Sequence, residues 1–318
     1  DYLHRNTLFD KLATSQISHN KGLEKLDYCL ADSVERHLMS STKKALMLSG
    51  GVDSSLVAYY FSQLKKHELI SAYVISVGGD ENEGEDAQVV ADQLGIDLKH
   101  IPVNSEKFFE NWLRFCKHNF DVNCDPSSVL LYILTRKVSA DGFKVILGGE
   151  GADEIFKGYK SYKVDYFLSI ISKIPGVKFL VVLIDFVLQR AKIQFLWKIS
   201  DILSFWRFKG YYAFLGTTHQ IPFDVVQSLL NIGRKELLSM INWYERSPLL
   251  TRNETGSVDI AGRLANDILV RTDRAGMANS VEVRTPFIDL SVFNFASIAT
   301  TIHWDPNFFE LSTTTSEF

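Results

Sequence analysis

The chain has 318 residues, 46% of them hydrophobic and 23% charged, with a formal net charge of −4. That is a globular composition, long enough for one large domain or a core with a second lobe, and the charge leaves no basic footprint for nucleic acid. Cys29, Cys116 and Cys124 form no CxxC pair and the eight histidines show no HExxH-like spacing, which disfavours both a disulfide framework and a zinc site. Three lone thiols fit a reducing cytosol, so a cytoplasmic location is expected. The N-terminal stretch has no signal-peptide pattern. The nearest candidate for a membrane segment, Phe179–Leu188, is short and broken by Asp185, so it reads as a buried helix and no membrane partner is expected. Residue 1 is Asp rather than Met, and the expectation is of a piece of a longer product.

In chain order, Leu23, Leu26, Leu30, Val34 and Leu38 fall at helical spacing and predict an amphipathic helix over 22–39. Lys44–Leu48 is a short apolar run that stops at Gly50-Gly51, a strand followed by a helix over Ser54–Leu64. Ser71–Val77, rich in β-branched and aromatic residues, predicts a second strand. The acidic stretch Asp80–Asp86 reads as a solvated loop, close enough to the sheet edge to border the site. A helix over Glu85–Leu94, a strand near Lys99–Val103, helices over Glu106–Cys116 and Ser128–Val138, and a buried strand at Lys144–Leu147 complete the alternation. From about Tyr162 the strand rhythm stops and mostly helices are expected. Strands alternating with helices imply an α/β fold, a parallel twisted sheet with helices on both faces. Ligands of such sheets bind beyond the carboxyl ends of the strands, where Gly50-Gly51 and Gly148-Gly149 both fall.

Three stretches can carry chemistry. In Ser49-Gly50-Gly51-Val52-Asp53-Ser54-Ser55 the glycines let the backbone turn and face its N–H groups to an anion. Ser54 and Ser55 add hydroxyl donors at a helix N-terminus. Asp53 has the wrong charge for phosphate unless a cation lies between them, which makes it a candidate Mg²⁺ ligand. The second stretch, Gly148-Gly149-Glu150-Gly151-Ala152-Asp153-Glu154, gathers three carboxylates that repel one another unless they face a metal or a cationic substrate. Asp153 could share the Mg²⁺ with Asp53, Glu154 could meet a cationic substrate group, and Glu150 could take a proton from an attacking amine. An acidic helix N-terminus is the plain alternative. The third, Arg271 to Asp289, alternates arginines and carboxylates; it suits a doubly charged substrate and equally a structural salt-bridge network.

Taken together the three resemble a known family. SGGVDSS, residues 49–55, is similar to the pyrophosphate-binding loop of the ATP pyrophosphatase (PP-loop) class, whose fold is of the adenine nucleotide alpha hydrolase type. GGEGADEIFKGY and DRAGMANSVEVRTPFID resemble two later signatures of asparagine synthetases, in the same order, and the likeness runs from about Leu23 to Asp289. The resemblance implies that ATP is held by the backbone at Leu48, by Ser49, Gly50, Gly51, Asp53, Ser54 and Ser55, by the strand end at Val77, and by Gly148 and Gly149. It further implies Mg²⁺ on Asp53 and Asp153, Glu150 at the position linked to the aspartyl-adenylate, and Arg271 and Arg274 near substrate or phosphate, Arg274 in the catalytic set. The chain would then divide into a linker and first helix at 1–40, a PP-loop core at 41–162, and a mostly helical lobe at 163–318 that completes the substrate site.

The resemblance also implies an aspartate-like carboxylate and ammonia as reactants, with asparagine, AMP and pyrophosphate as products. Two departures stand out. These 318 residues do not include the family's N-terminal glutaminase domain, and the expectation is that ammonia arrives free or from a partner domain or subunit; a homodimer stays open too. The tail from Leu290 to Phe318 has no lysine where the family carries a catalytic one. Two other readings therefore stand beside the first: the same chemistry on another carboxylate, as in β-lactam synthetases or sugar-acid amidotransferases, or an ATP-binding protein without catalysis.

Overall fold

Helix α1, His19–His37, leads into strand β1 at Lys44–Met47, and the alternation continues through α2 (Val52–Leu64), β2 (Ser71–Val77), α3 (Asn82–Leu94) and β3 (Asp97–Val103). Helices α4 (Ser105–His118) and α5 (Pro126–Ala140) precede β4 (Val145–Leu147) and the short α6 (Ala152–Phe156). Beyond these come α7 (Phe223–Leu230), a π-helical stretch at Ile260–Ile268, α8 (Leu269–Met277), β5 (Glu282–Arg284), a 3-10 turn at Pro286–Ile288 and α9 (Leu290–Ile302). The structure is a computed structural model; it describes residues 19–64, 70–77, 82–118, 125–159, 162, 223–233, 235–236 and 259–302, with isolated positions between 174 and 203. The apolar stretch Phe179–Leu188 lies largely outside them, as do Cys124 and the tail after Ile302. Among the described residues no helix is long and apolar enough to cross a membrane.

The five strands lie in the order β3-β2-β1-β4-β5, and every neighbouring pair is parallel. Successive side chains of a strand point to opposite faces, and two cores result. Leu46, Ala72, Val74, Val145 and Leu147 pack with Val34 of α1, Phe61 of α2, Ala91 of α3 and Val292 of α9. Ala45, Tyr73, Ile101 and Ile146 pack on the other face with Phe115 of α4, Ile133 of α5 and Ala275 of α8. The sheet is thus covered on both sides, which is why its strands read as continuous apolar runs rather than alternating ones. From β1 the chain steps outward to β2 and β3, then returns to the far side of β1 for β4 and β5. The crevice at the carboxyl ends of β1 and β4 is therefore a topological switch point, the place where ligands of open α/β sheets bind.

Two elements differ from the sequence reading. The acidic stretch ending at Asp86 is not a loop over its described part: α3 begins at Asn82, because Glu83 and Glu85 in a first turn complement the positive end of the helix. The second is β5, which the strand rhythm after Tyr162 does not announce. It has three residues and one apolar side chain, and its strand geometry comes from pairing with Val145–Leu147 across a long sequence separation. Arg284 at its end donates to the carbonyls of His37 and Met39, at 2.6 and 3.2 Å, and so caps the C-terminus of α1. The conspicuous VEVRTPFID run is in this part a sheet edge and a helix cap. Residues Asp1–Phe156 and Asp267–Phe318 form one compact unit and Lys157–Asn266 another. The stretch carrying Arg271–Asp289 accordingly belongs with the sheet and not with a separate C-terminal lobe. Within the second unit the Tyr162 hydroxyl donates to the buried Asp259 carboxylate, and the Arg263 guanidinium lies 4.6 Å over the Tyr159 ring.

Ile146 is fully buried at the centre of β4, the strand that carries one wall of the switch point. Ile146→Ala removes packing on which the adjacent helices α5 and α8 both rest. It is expected to cost about 2–5 kcal/mol, read as a fall in the denaturant midpoint without a change in slope.

Candidate functional site at the sheet switch point

The loop after β1 is built around one hydroxyl. Ser54 Oγ accepts from the Ser49 N–H at 3.1 Å, lies 3.0 Å from Ser49 Oγ and donates to the Gly51 carbonyl at 3.1 Å. Ser55 Oγ donates to the same carbonyl at 2.8 Å. Both hydroxyls, expected to reach an anion, instead brace the loop; what the loop offers an anion is backbone. The first N–H groups of a helix have no acceptor one turn back, and here they belong to Val52, Asp53 and Ser54. Gly50 must be glycine for two reasons. Its φ is +75°, and a Cβ there would lie 2.5 Å from Asp86 Cβ and 2.6 Å from the Ala87 nitrogen. The loop is therefore pressed onto α3.

The loop after β4 comes as close on the other side. A Cβ on Gly149 would lie 2.9 Å from the Ser54 nitrogen and 3.0 Å from Asp53 Cβ, so the two loops touch through a bare backbone. A Cβ on Gly148 would collide with the Glu150 carboxylate and with Met47, because Glu150 folds back over its own strand end. Gly151, at φ +91°, turns the chain into α6, and Gly148 N–H donates to the Arg284 carbonyl at 2.9 Å, tying this loop to β5.

The result is a cavity of about 320 Å³ lined by Leu48, Ser49, Asp53, Ser54, Gly149 and Glu150. Those six were singled out in the sequence, and the fold gathers them at one point from stretches nearly a hundred residues apart. Gly50, Gly51, Ser55 and Gly148 complete the two loops. Burial pushes the Asp53 carboxyl up to about 6, helped by the charges of Asp153 and Glu154. Burial also raises Glu150, further raised by Glu154 and opposed by a backbone hydrogen bond. Its Oε2 is buried with no hydrogen-bond partner. Asp153 is half-buried and Glu154 is 1% exposed inside α6, so Glu154 acts here as a buried charge behind the wall.

Other residues lie elsewhere. Val77 is exposed at the end of β2, and the strand lines the cavity instead through Tyr73, Val74 and Ile75. Arg271 pairs with Asp125 and donates to Ser127 Oγ at 2.8 Å; Asp125 also accepts from Ser127 N–H at 2.9 Å as the N-cap of α5. Arg274 is exposed on the same helix, α8, and neither arginine lines the cavity. Substrate contact by this pair is not what the geometry supports. Helix α8 is locked along α5, by Arg271 at one end and by Thr135 Oγ1 donating to the Ala275 carbonyl at 3.0 Å at the other. Met47, Tyr73, Leu134 and Glu83 also line the cavity and were not singled out. The first three are apolar or core residues with no motif to mark them, whereas Glu83 lay in the acidic stretch already expected to border the site.

A parallel α/β sheet with an anion loop after one switch-point strand and a carboxylate loop after the other defines a nucleotide-binding class of protein. The chain belongs to the asparagine synthase family, whose model matches residues 25–299. It is 27% identical over 291 residues to glutamine-hydrolyzing asparagine synthetase 1 of Bacillus subtilis (strain 168), covering 89% of this chain and 44% of that protein. Against glutamine-hydrolyzing asparagine synthetase B of Escherichia coli (strain K12) the identity is 31% over 173 residues, covering 50% and 30%. A third relative, amidase chyE of Penicillium rubens, is 26% identical over 49% of this chain and 25% of its own. The chain thus spans less than half the length of these relatives.

Among the described residues no group of three or more His, Cys, Asp or Glu is placed to hold a metal. A cation held here would have to share its ligands between protein and a bound molecule. The residues fit that: Asp53 is a half-buried carboxylate under the field of two others, and a divalent ion with phosphate oxygens would relieve it. In the free protein the same charges destabilise the fold. A carboxyl raised from 3.8 to about 6 binds its proton more tightly folded than unfolded, so stability falls as pH rises through that window. Asp53→Asn should stabilise the free protein by roughly 1–3 kcal/mol at pH 7 and should flatten the fall in melting temperature between pH 4 and 6. Thermal melts across that range check it.

Proposed function

We propose that this chain is an ATP-dependent amide-forming synthetase, which activates a carboxylate as an acyl-adenylate and passes it to ammonia. L-Aspartate is the carboxylate the family favours. The observation that carries the reading is Glu150, a raised carboxyl with a buried, partnerless oxygen, set across the switch point from a loop suited to phosphates. Family membership over most of the chain supports it.

ATP enters as a co-substrate. Its triphosphate meets the backbone of Ser49–Ser55 and Gly149, and Mg²⁺, which neutralises phosphate charge when bound, would be held by Asp53 and Asp153. The substrate carboxylate attacks the α-phosphorus, and pyrophosphate leaves with the electron pair of the broken P–O bond. Ammonia then attacks the acyl carbon, the bond to AMP breaks, and the proton lost from nitrogen passes to Glu150. A carboxylate kept out of water and with one oxygen unpartnered is poised to take that proton, since its raised affinity brings it nearer the working pH. Everything else is orientation and charge neutralisation by fixed backbone groups.

The nitrogen source and the acceptor go beyond this chain's own residues. The names of two relatives state glutamine hydrolysis, which suggests a glutaminase domain or subunit as partner, with free ammonia as the alternative. A second reading, another acceptor carboxylate, is favoured by one observation: Arg271, expected near substrate or phosphate, is engaged with Asp125 and Ser127. Pyrophosphate release with a panel of carboxylates tests both. Release strongest with aspartate supports the first, release confined to another acid supports the second, and none with any acid overturns the synthetase reading.

ATP with Mg²⁺ at about 100 times its dissociation constant should stabilise the protein by roughly 2.7 kcal/mol, seen as a thermal shift. An equal shift with and without Mg²⁺ removes Asp53 and Asp153 as ligands. Glu150→Gln should leave ATP affinity within a few-fold and lower amide formation by about 10²–10⁴. Wild-type amide formation should also rise with pH as the raised Glu150 carboxyl ionises, and the variant should lose that dependence.

A further inference from the structure

The cavity holds a third carboxylate that the chemistry above does not use. Asp53 faces the phosphate end and Glu150 the reacting centre, but Glu83 lines the cavity from the first turn of α3. A fixed negative charge in a cavity for a polyanion raises the binding free energy unless it meets hydrogen-bond donors of the ligand.

Glu83's place is set by the packing of α3. One turn further along α3, Asp86 and Ala87 are where Gly50 of the anion loop makes its close approach, at 2.5 and 2.6 Å for an added Cβ. Glu83 is therefore a helical turn away from the phosphate loop. Gly84 next to it is buried, and a Cβ there would lie 3.0 Å from Ser76 Oγ and 3.5 Å from His100 Nδ1. The bare backbone at Gly84 lets the first turn of α3 lie against β2 and β3, and His100 Nε2, 3.0 Å from Gln88 Oε1, holds the helix from the same side. Val74 and Ile75 of β2 and Leu134 of α5 give the same cavity an apolar wall. The cavity thus brings together a phosphate loop, a carboxylate and an apolar wall. In a nucleotide the group between phosphate and base is the sugar, and its donors are the two ribose hydroxyls.

We propose that Glu83 binds the ribose 2′- and 3′-hydroxyls of the nucleotide and makes the site selective for ribonucleotides; this rests on the ATP reading above. The same logic puts an acidic residue after the second strand of dinucleotide-binding sheets, where a carboxylate takes the ribose diol. Glu83 accepts a hydrogen bond from each hydroxyl, so no group is transferred and no charge moves.

The test uses the whole chain and calorimetric titration of ATP, 2′-deoxy-ATP and 3′-deoxy-ATP with Mg²⁺, on wild type, Glu83→Gln and Glu83→Ala. Glu83 is exposed in a first helical turn, so both variants should fold, and unchanged melts without nucleotide confirm it. Wild type should bind ATP roughly 10- to 100-fold more tightly than at least one deoxy analogue, the worth of a charged hydrogen bond. In Glu83→Ala that ratio should collapse to near one, through weaker ATP binding and not stronger analogue binding; Glu83→Gln should fall between. A ratio unchanged in Glu83→Ala overturns the inference, as does a wild type that binds all three alike. No saturable binding of ATP to wild type would instead overturn the ATP reading itself and the inference with it.

Discussion

The structure depends on one close approach. Gly149 and the first turn of α2 are near enough that a single added carbon would lie 2.9 Å from the Ser54 nitrogen. Because only hydrogen fits between them, the loops after β1 and β4 become one surface. That contact exists because β1 and β4 are neighbours in the sheet while their sequences are far apart. Three further bare-backbone contacts follow the same rule: Gly50 on α3, Gly148 under the Glu150 carboxylate, and Gly276, where an added Cβ would lie 2.5 Å from the Val281 carbonyl. Glycine here is less a source of flexibility than of proximity. It brings strand ends, helix starts and a carboxylate within one cavity.

The same proximity sets the electrostatics. Burial, helped by the charges of Asp153 and Glu154, raises the Asp53 carboxyl to about 6. Glu150 is raised chiefly by its own burial. Left to stability alone, a fold would not place these acids together; their concentration at a switch point is what a cationic or metal-bridged ligand would favour. Elsewhere the polar groups are matched in the ordinary way. Lys99 and Lys137 meet Asp141 at 2.9 and 2.6 Å, and with the Tyr73 hydroxyl they hold its carboxyl well below the usual range. Acid matched by lysines around Asp141 contrasts with acid left unmatched at the switch point, the pattern expected where a ligand supplies the missing charge.

The arginines show the opposite lesson. Arg271 and Arg284 look like ligand-binding residues because they stand among carboxylates and small side chains. In the fold Arg271 clamps the N-cap of α5 and Arg284 caps α1, each using its planar fork to join two elements. Guanidinium groups serve structure and substrates through identical hydrogen bonds, so composition alone does not separate the two uses.

The strands β1 to β4, the helices between them and the two glycine loops were legible in the sequence. Each depends on local patterning, on β-branched runs, on helical spacing and on backbone freedom at Gly50 and Gly151. The cavity acids Asp53 and Glu150 were legible for the same reason, since an unmatched charge beside a glycine turn is conspicuous in one dimension. What needed tertiary structure was every feature decided by distant partners. Strand β5 is a strand only because β4 lies beside it, and Arg271 is a clamp only because Asp125 comes to meet it. Glu83 reaches the cavity only because Gly50 and Gly84 draw α3 down onto the sheet. Local conformational preference is written residue by residue, whereas adjacency in a parallel sheet is set by crossovers whose ends lie far apart in the chain. The composition of the two loops was therefore a property of the sequence, and their meeting a property of the fold.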